Sequence, residues 1–127
     1  MATGKYRDTQ EYFRVFAELI RVAECRGLTT YQNVAVIMGL PLQGQHMGIE
    51  TGRVLGDISE DEVNSGRPML SAIAVSVNGT PGNGFYDLAK KLNRMKSGDN
   101  ERTFWERERD AVYKTWQRPL PKDPVFK

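Results

Sequence analysis

Gly44-Gln45-His46-Met47-Gly48-Ile49-Glu50-Thr51-Gly52-Arg53-Val54-Leu55-Gly56-Asp57-Ile58 places a glycine at every fourth position. Residues four apart share one face of a helix, so a helical reading puts the glycines in one smooth stripe. Met47, Val54, Leu55 and Ile58 keep an approximate apolar stripe beside it. Each interior glycine costs a helix roughly 0.8–1 kcal/mol relative to alanine, so this helix needs tertiary support. Close packing against another helix is the first reading of the stripe. A ligand-contacting surface and a non-helical glycine-rich loop are the other two. Neither Gly-Lys-Ser/Thr nor Gly-x-Gly-x-x-Gly occurs, so no phosphate-binding loop or dinucleotide fingerprint is present.

Toward the N-terminus, Tyr12, Phe16, Leu19, Ile20 and Ala23 recur at helical spacing behind Asp8-Thr9-Gln10-Glu11. This reads as a capping box with Asp8 as cap, opening a helix over 9–26 that Gly27 stops. Thr29-Thr30-Tyr31-Gln32 reads as a second box, with Thr29 as cap of a short helix over 30–38 that buries Tyr31, Val34, Ala35 and Met38. Gly39 and Pro41 end it.

Toward the C-terminus, Ser59-Glu60-Asp61-Glu62 reads as a third box, starting a short helix that ends near Gly66. The run 69–77 alternates Ile73, Val75 and Val77 with Leu70, Ala72, Ala74 and Ser76, and is the one convincing strand. Asn78-Gly79 predicts a turn, and 80–84 an irregular glycine-rich loop. Phe85, Leu88, Ala89 and Leu92 predict a helix to about Met95. A last helix over 101–117 turns Phe104, Trp105, Ala111, Val112 and Trp116 inward, with an Asp110–Lys114 pair on its surface. The tail 119–127 reads as an extended, proline-containing segment after a single globular domain over 1–118.

The chain has 127 residues, 39% hydrophobic and 27% charged, which fits one ordinary globular domain and excludes collagen-like or disordered classes. No apolar run is long enough for a membrane span, and the first eight residues hold no signal-peptide core, so a cytoplasmic location without membrane contact is expected. The formal net charge is +2, far from that of a dedicated nucleic-acid coat. Charge is unevenly spread: 43–66 has one base against five acids, and 86–118 nine bases against six acids. An anionic partner should therefore meet the C-terminal third.

Catalytic chemistry is weakly represented, and the chain reads as non-catalytic. His46, the single histidine, sits in a polar turn and reads as exposed or structural. Cys25, the single cysteine, reads as a small buried or half-buried hydrophobe. Ser71 has no nucleophile elbow around it. Asp57, Glu60, Asp61 and Glu62 could hold Mg²⁺, but capping and solvation account for them more simply. Glu106 and Glu108 interleave with Arg107 and Arg109 as an exposed ion-paired face. No cofactor or metal is expected.

Thr30-Tyr31-Gln32-Asn33-Val34-Ala35, the Gly39 turn, a second helix with Gly52 and Leu55, then Arg67-Pro68 before an apolar run, resemble the winged-helix domain of alkyltransferase-like DNA-binding proteins over residues 29–95. Met69 stands where that family carries its reactive cysteine, so alkyl transfer is not implied. The resemblance implies an α+β fold of five or six helices around one short sheet, winged-helix-like, that binds nucleic acid without catalysis. Its reading residues would be Thr30, Gln43, Gln45, His46 and Arg53, with Arg102, Arg107, Arg109 and Lys114 on phosphates. The competing class is a small-molecule or nucleotide-binding protein that uses Gly48 and Gly52 of the stripe with Asn78 and Asn83 of the following loop. A protein-interaction adaptor is the third.

A homodimer is also expected. The strand over 69–77 has no equally good partner, and an unpaired strand leaves backbone groups unsatisfied. Within the chain, 2–6, 80–86 and 125–126 are the candidate partners. A twofold copy of the same strand would solve the pairing, and the aromatics Phe13 and Tyr113 could add contact area.

Overall fold

A computed structural model of the chain describes residues 4–42 and 44–118, so Gln43 and the tail at 119–127 lie outside the described residues. In order, these form α1 (Gln10–Glu24), β1 (Thr29–Thr30), α2 (Tyr31–Met38), α3 (Gly44–Asn64), a 3₁₀ turn (Leu70–Ile73), β2 (Ala74–Val75), α4 (Asn83–Lys91) and α5 (Glu101–Trp116). The architecture is mostly helical, with one two-stranded sheet in which Thr29 and Thr30 pair in parallel with Ala74 and Val75. It is a small α+β fold. None of the described helices is long and apolar enough to cross a membrane.

The amphipathic spacing of α1 buries Tyr12, Val15, Leu19, Val22 and Ala23. Its cap is Thr9, whose Oγ1 accepts from the Tyr12 amide at 3.2 Å, rather than Asp8. Asp8 has a positive φ of 67°, outside the extended conformation that a capping residue adopts. The second box shifts by one residue in the same way: Thr30 Oγ1 accepts from the Asn33 amide at 3.1 Å. Thr29 instead joins β1, and its hydroxyl accepts from Asn33 Nδ2. Beyond α1, Cys25 is exposed, not buried: it caps the helix end, past the last inward-facing turn.

The segment 69–75 is not the strand its alternation suggests. Four of its residues form the 3₁₀ turn and only Ala74 and Val75 pair. All seven are buried, because α1, α3 and α5 pack against the turn. A run buried on every side has no solvent face, so alternation cannot report its conformation. Val77 is 80% exposed and lies beyond the strand.

Polar side chains serve the backbone that a sheet would otherwise satisfy. Ser59 Oγ accepts from the Ser71 amide at 3.0 Å, and Glu108 Oε2 accepts from the Met69 amide at 2.9 Å. Trp105 Nε1 donates to the Ala72 carbonyl at 2.8 Å. Two expectations change here. Ser59 is a buried interior residue of one continuous helix, not the cap of a new one. Glu108 is buried and holds Arg94 at 2.8 Å, so it does not belong to an exposed charged face. On the outside of α5, Asp110 pairs with Arg109 at 3.0 Å instead of Lys114. The strand's partner is β1, a segment none of the sequence candidates named, so Ala74 and Val75 find a pairing strand within the chain.

Candidate functional site

Helix α3 carries two different faces. Val54, Leu55 and Ile58 anchor it in the core. Along one edge its carboxylates reach back to the segment 4–7. Asp57 accepts from the Gly4 amide at 2.7 Å and the Tyr6 amide at 3.0 Å. Glu50 accepts from Lys5 Nζ at 2.6 Å, from Arg53 Nη1 at 2.8 Å and from the Tyr6 hydroxyl. Arg7 bridges Glu60 at 3.1 Å and Asp61 at 2.9 Å, and Tyr12 donates to Asp61 at 2.6 Å. The Lys5 ammonium and the Tyr6 hydroxyl hold the Glu50 carboxyl at about 2, well below its ordinary value. Burial, and then the neighbouring Glu50, push the Tyr6 phenol up to about 12. Of the acidic run that could have suggested Mg²⁺, Asp57, Glu60 and Asp61 thus clamp the N-terminal segment, and Glu62 holds Arg67 at 2.6 Å. Among the described residues no group of His, Cys, Asp and Glu is arranged to hold a metal ion.

The glycine face borders a groove of about 640 Å³ between α3 and α4. Gly48, Gly52, Gly56 and Leu55 line it from α3, Gly84, Phe85 and Leu88 from α4, and Tyr31 and Gly82 complete it. A methyl group on Gly48 or Gly52 would meet nothing within 4 Å, and one on Gly56 would reach only Leu88 Cδ2 at 4.0 Å. The stripe therefore does not mediate close helix packing. Its bare backbone faces open space, because α4 lies too far from it to fill the gap.

The polar lining is sparse. Arg53, Asp57 and Glu60 contribute from α3, Asp87 and Lys91 from α4, and Ser71 from the buried segment. Three of these charges are engaged within the protein: Arg53 by Glu50, Asp57 by the Gly4 and Tyr6 amides, and Glu60 by Arg7. Tyr31 accepts from the Gly82 amide at 2.8 Å, and burial raises its phenol above the ordinary value. An apolar concavity of this volume with few polar groups is the usual form of a small-ligand site.

The sequence-selected residues separate accordingly. Gly48, Gly52 and Arg53 come together in the groove. Asn78 and Asn83, chosen with the glycines, are exposed and outside its lining, although Gly82 and Gly84 of the same loop belong to it. Asn78 instead closes its own turn, accepting from the Thr80 amide at 3.0 Å. Thr30 is occupied as the cap of α2, Gln43 lies outside the described residues, and Gln45 and His46 are exposed in the first turn of α3. Arg102 and Arg109 fall on one flank of α5 and Arg107 and Lys114 on another, roughly 140° away at 3.6 residues per turn. Arg102 faces Glu106 at 3.3 Å, and Arg107 and Arg109 lie over the Phe104 and Trp105 rings.

Tyr31, Ser71, Phe85 and Leu88 were not selected as site residues. Tyr31, Phe85 and Leu88 carry helical periodicity that reads as core, and only the pairing of two glycine-rich stretches hinted that a gap separates them. The fold and groove define a small α+β protein with an apolar cleft between two helices. No family model, curated protein or solved structure matches the chain.

Proposed function

We propose that the protein binds a small, largely apolar molecule in the groove between α3 and α4, without acting on it chemically. The observation that carries this reading is the open glycine face: about 640 Å³ of apolar concavity bordered by backbone that no side chain among the described residues covers. The volume falls within the roughly 300–1,000 Å³ of small-ligand pockets. The glycines keep the helix surface low enough for a ligand to lie against it.

Titration of the neutral fluorescent probe N-phenyl-1-naphthylamine tests the reading. Saturable binding to the wild type, abolished in Gly52→Leu while the melting temperature is kept, is the expected result. Equal binding by the two proteins would reject it.

Nucleic-acid binding through a winged-helix-like pairing of α2 and α3 is the second reading. The exposure of Gln45 and His46 at the start of α3 favours it. It has less support, because the bases of α5 divide between two flanks. A steep salt dependence of duplex binding would favour it over the groove.

A further inference from the structure

The chemistry of the groove's ligand follows from which polar groups remain free to meet it. Arg53, Asp57 and Glu60 are engaged by Glu50, by backbone amides and by Arg7. Thr51 Oγ1 donates to the Met47 carbonyl at 2.8 Å. Asp87 and Lys91 stand exposed on α4, where water competes for them.

Ser71 differs from all of these. It is 6% exposed, lines the groove, and comes from the most deeply buried segment of the fold. Its Oγ accepts from Ser59 Oγ at 2.7 Å, and its amide donates back to Ser59 Oγ. The two hydroxyls share a single contact, so whichever donates, one of their two protons has no acceptor among the described residues, and a ligand acceptor at the groove can take it from Ser71. A hydroxyl carries one donor and two acceptor sites, so the unused capacity of Ser71 includes its donor. An unmade hydrogen bond is costly where water is scarce, and one made there is strengthened.

We infer, resting on the groove as the binding site, that the ligand is a neutral apolar molecule carrying a hydrogen-bond acceptor without a proton, of the carbonyl type, which takes the Ser71 hydroxyl proton. A carboxylate would enter a groove whose half-buried cation, Arg53, is already held by Glu50, and whose other cation, Lys91, stands in water. An ammonium group could use only the remaining lone pair of Ser71 and would leave the hydroxyl proton unmet. A pure hydrocarbon would leave the hydroxyl unsatisfied.

Displacement of N-phenyl-1-naphthylamine by 2-decanone and by 2-methyl-1-decene, a hydrocarbon of the same shape, tests this. Ser71→Ala should weaken the ketone by about threefold to tenfold, one net hydrogen bond, and leave the hydrocarbon unchanged. Ser59→Ala keeps the Ser71 proton and should preserve the ketone's affinity relative to the hydrocarbon. If Ser71→Ala does not fold, Ser71→Cys, with a weaker donor of similar shape, should show the same selective loss. Equal effects on both compounds, or none, would overturn the inference while probe binding kept the groove reading intact. A selective loss in Tyr31→Phe in place of Ser71→Ala would overturn the assignment to Ser71. A wild type that does not bind the probe would end both.

Discussion

The two long edges of α3 are built from opposite materials. One is a row of carboxylates, each engaged by the distant segment 4–12, and the other is a row of glycines that the described residues leave almost uncovered. The difference explains how a glycine-rich helix survives. Its backbone is intrinsically weak, and the stabilising contacts come from the carboxylate edge and the core face, so the remaining face can stay bare. A groove kept open by glycine needs support from somewhere else, and the segment 4–7 and the residues 67–71 supply it.

The support that lets one face stay bare can be broken most forcefully at Glu62, which is fully buried on the core side of α3 and held by Arg67 at 2.6 Å. Glu62→Ala should cost about 3 kcal/mol in chemical denaturation, near the lower end for breaking a buried pair because Arg67 is partly exposed and can rehydrate. A loss below about 1 kcal/mol, the level of a surface pair, would show that this buried pair does not support α3. Asp57→Ala removes the acceptor of two backbone amides. It should cost about 1–3 kcal/mol and speed tryptic cleavage after Lys5 and Arg7. Unchanged cleavage would show that the clamp does not hold the N-terminal segment.

On the opposite face the sign reverses. Gly52→Ala meets no neighbour and removes a helix-weakening residue, so it should stabilise the protein by about 1 kcal/mol. A lower melting temperature would mean that the face is packed. The smallest effect belongs to acid. The folded Glu50 carboxyl sits at about 2 against 4.5 for the free side chain, so its contribution is fully present above pH 4.5 and is lost as pH falls toward 2. The protection factors of the Tyr6 and Arg7 amides, taken relative to the intrinsic exchange rate at each pH, should fall across that window, and Glu50→Gln should remove the acid-dependent step.

Helical periodicity identified α1, α2 and α5 because each lays one apolar face on the core. The caps were misplaced by one residue because Asp8-Thr9 and Thr29-Thr30 each offer two adjacent oxygen-bearing side chains, and backbone conformation selects the second. Ser59 looked like a cap because its partner, the buried 69–75 segment, leaves no local trace. The same applies to Asp57 and Glu50, whose partners lie 44–53 residues away. The glycine spacing was legible as a smooth face. Whether that face was covered depended on how far α4 stands from α3, which no local pattern encodes.

The central claim is that the glycine face of α3 is a binding surface. The most direct measurement is a ¹⁵N–¹H correlation titration of the full chain with N-phenyl-1-naphthylamine. The account predicts saturable shifts concentrated at the amides of Gly48, Gly52, Gly56, Gly84 and Leu88, with those of Arg102, Arg107 and Arg109 unmoved. Shifts confined to α5, or no saturable shifts along the groove, would contradict it.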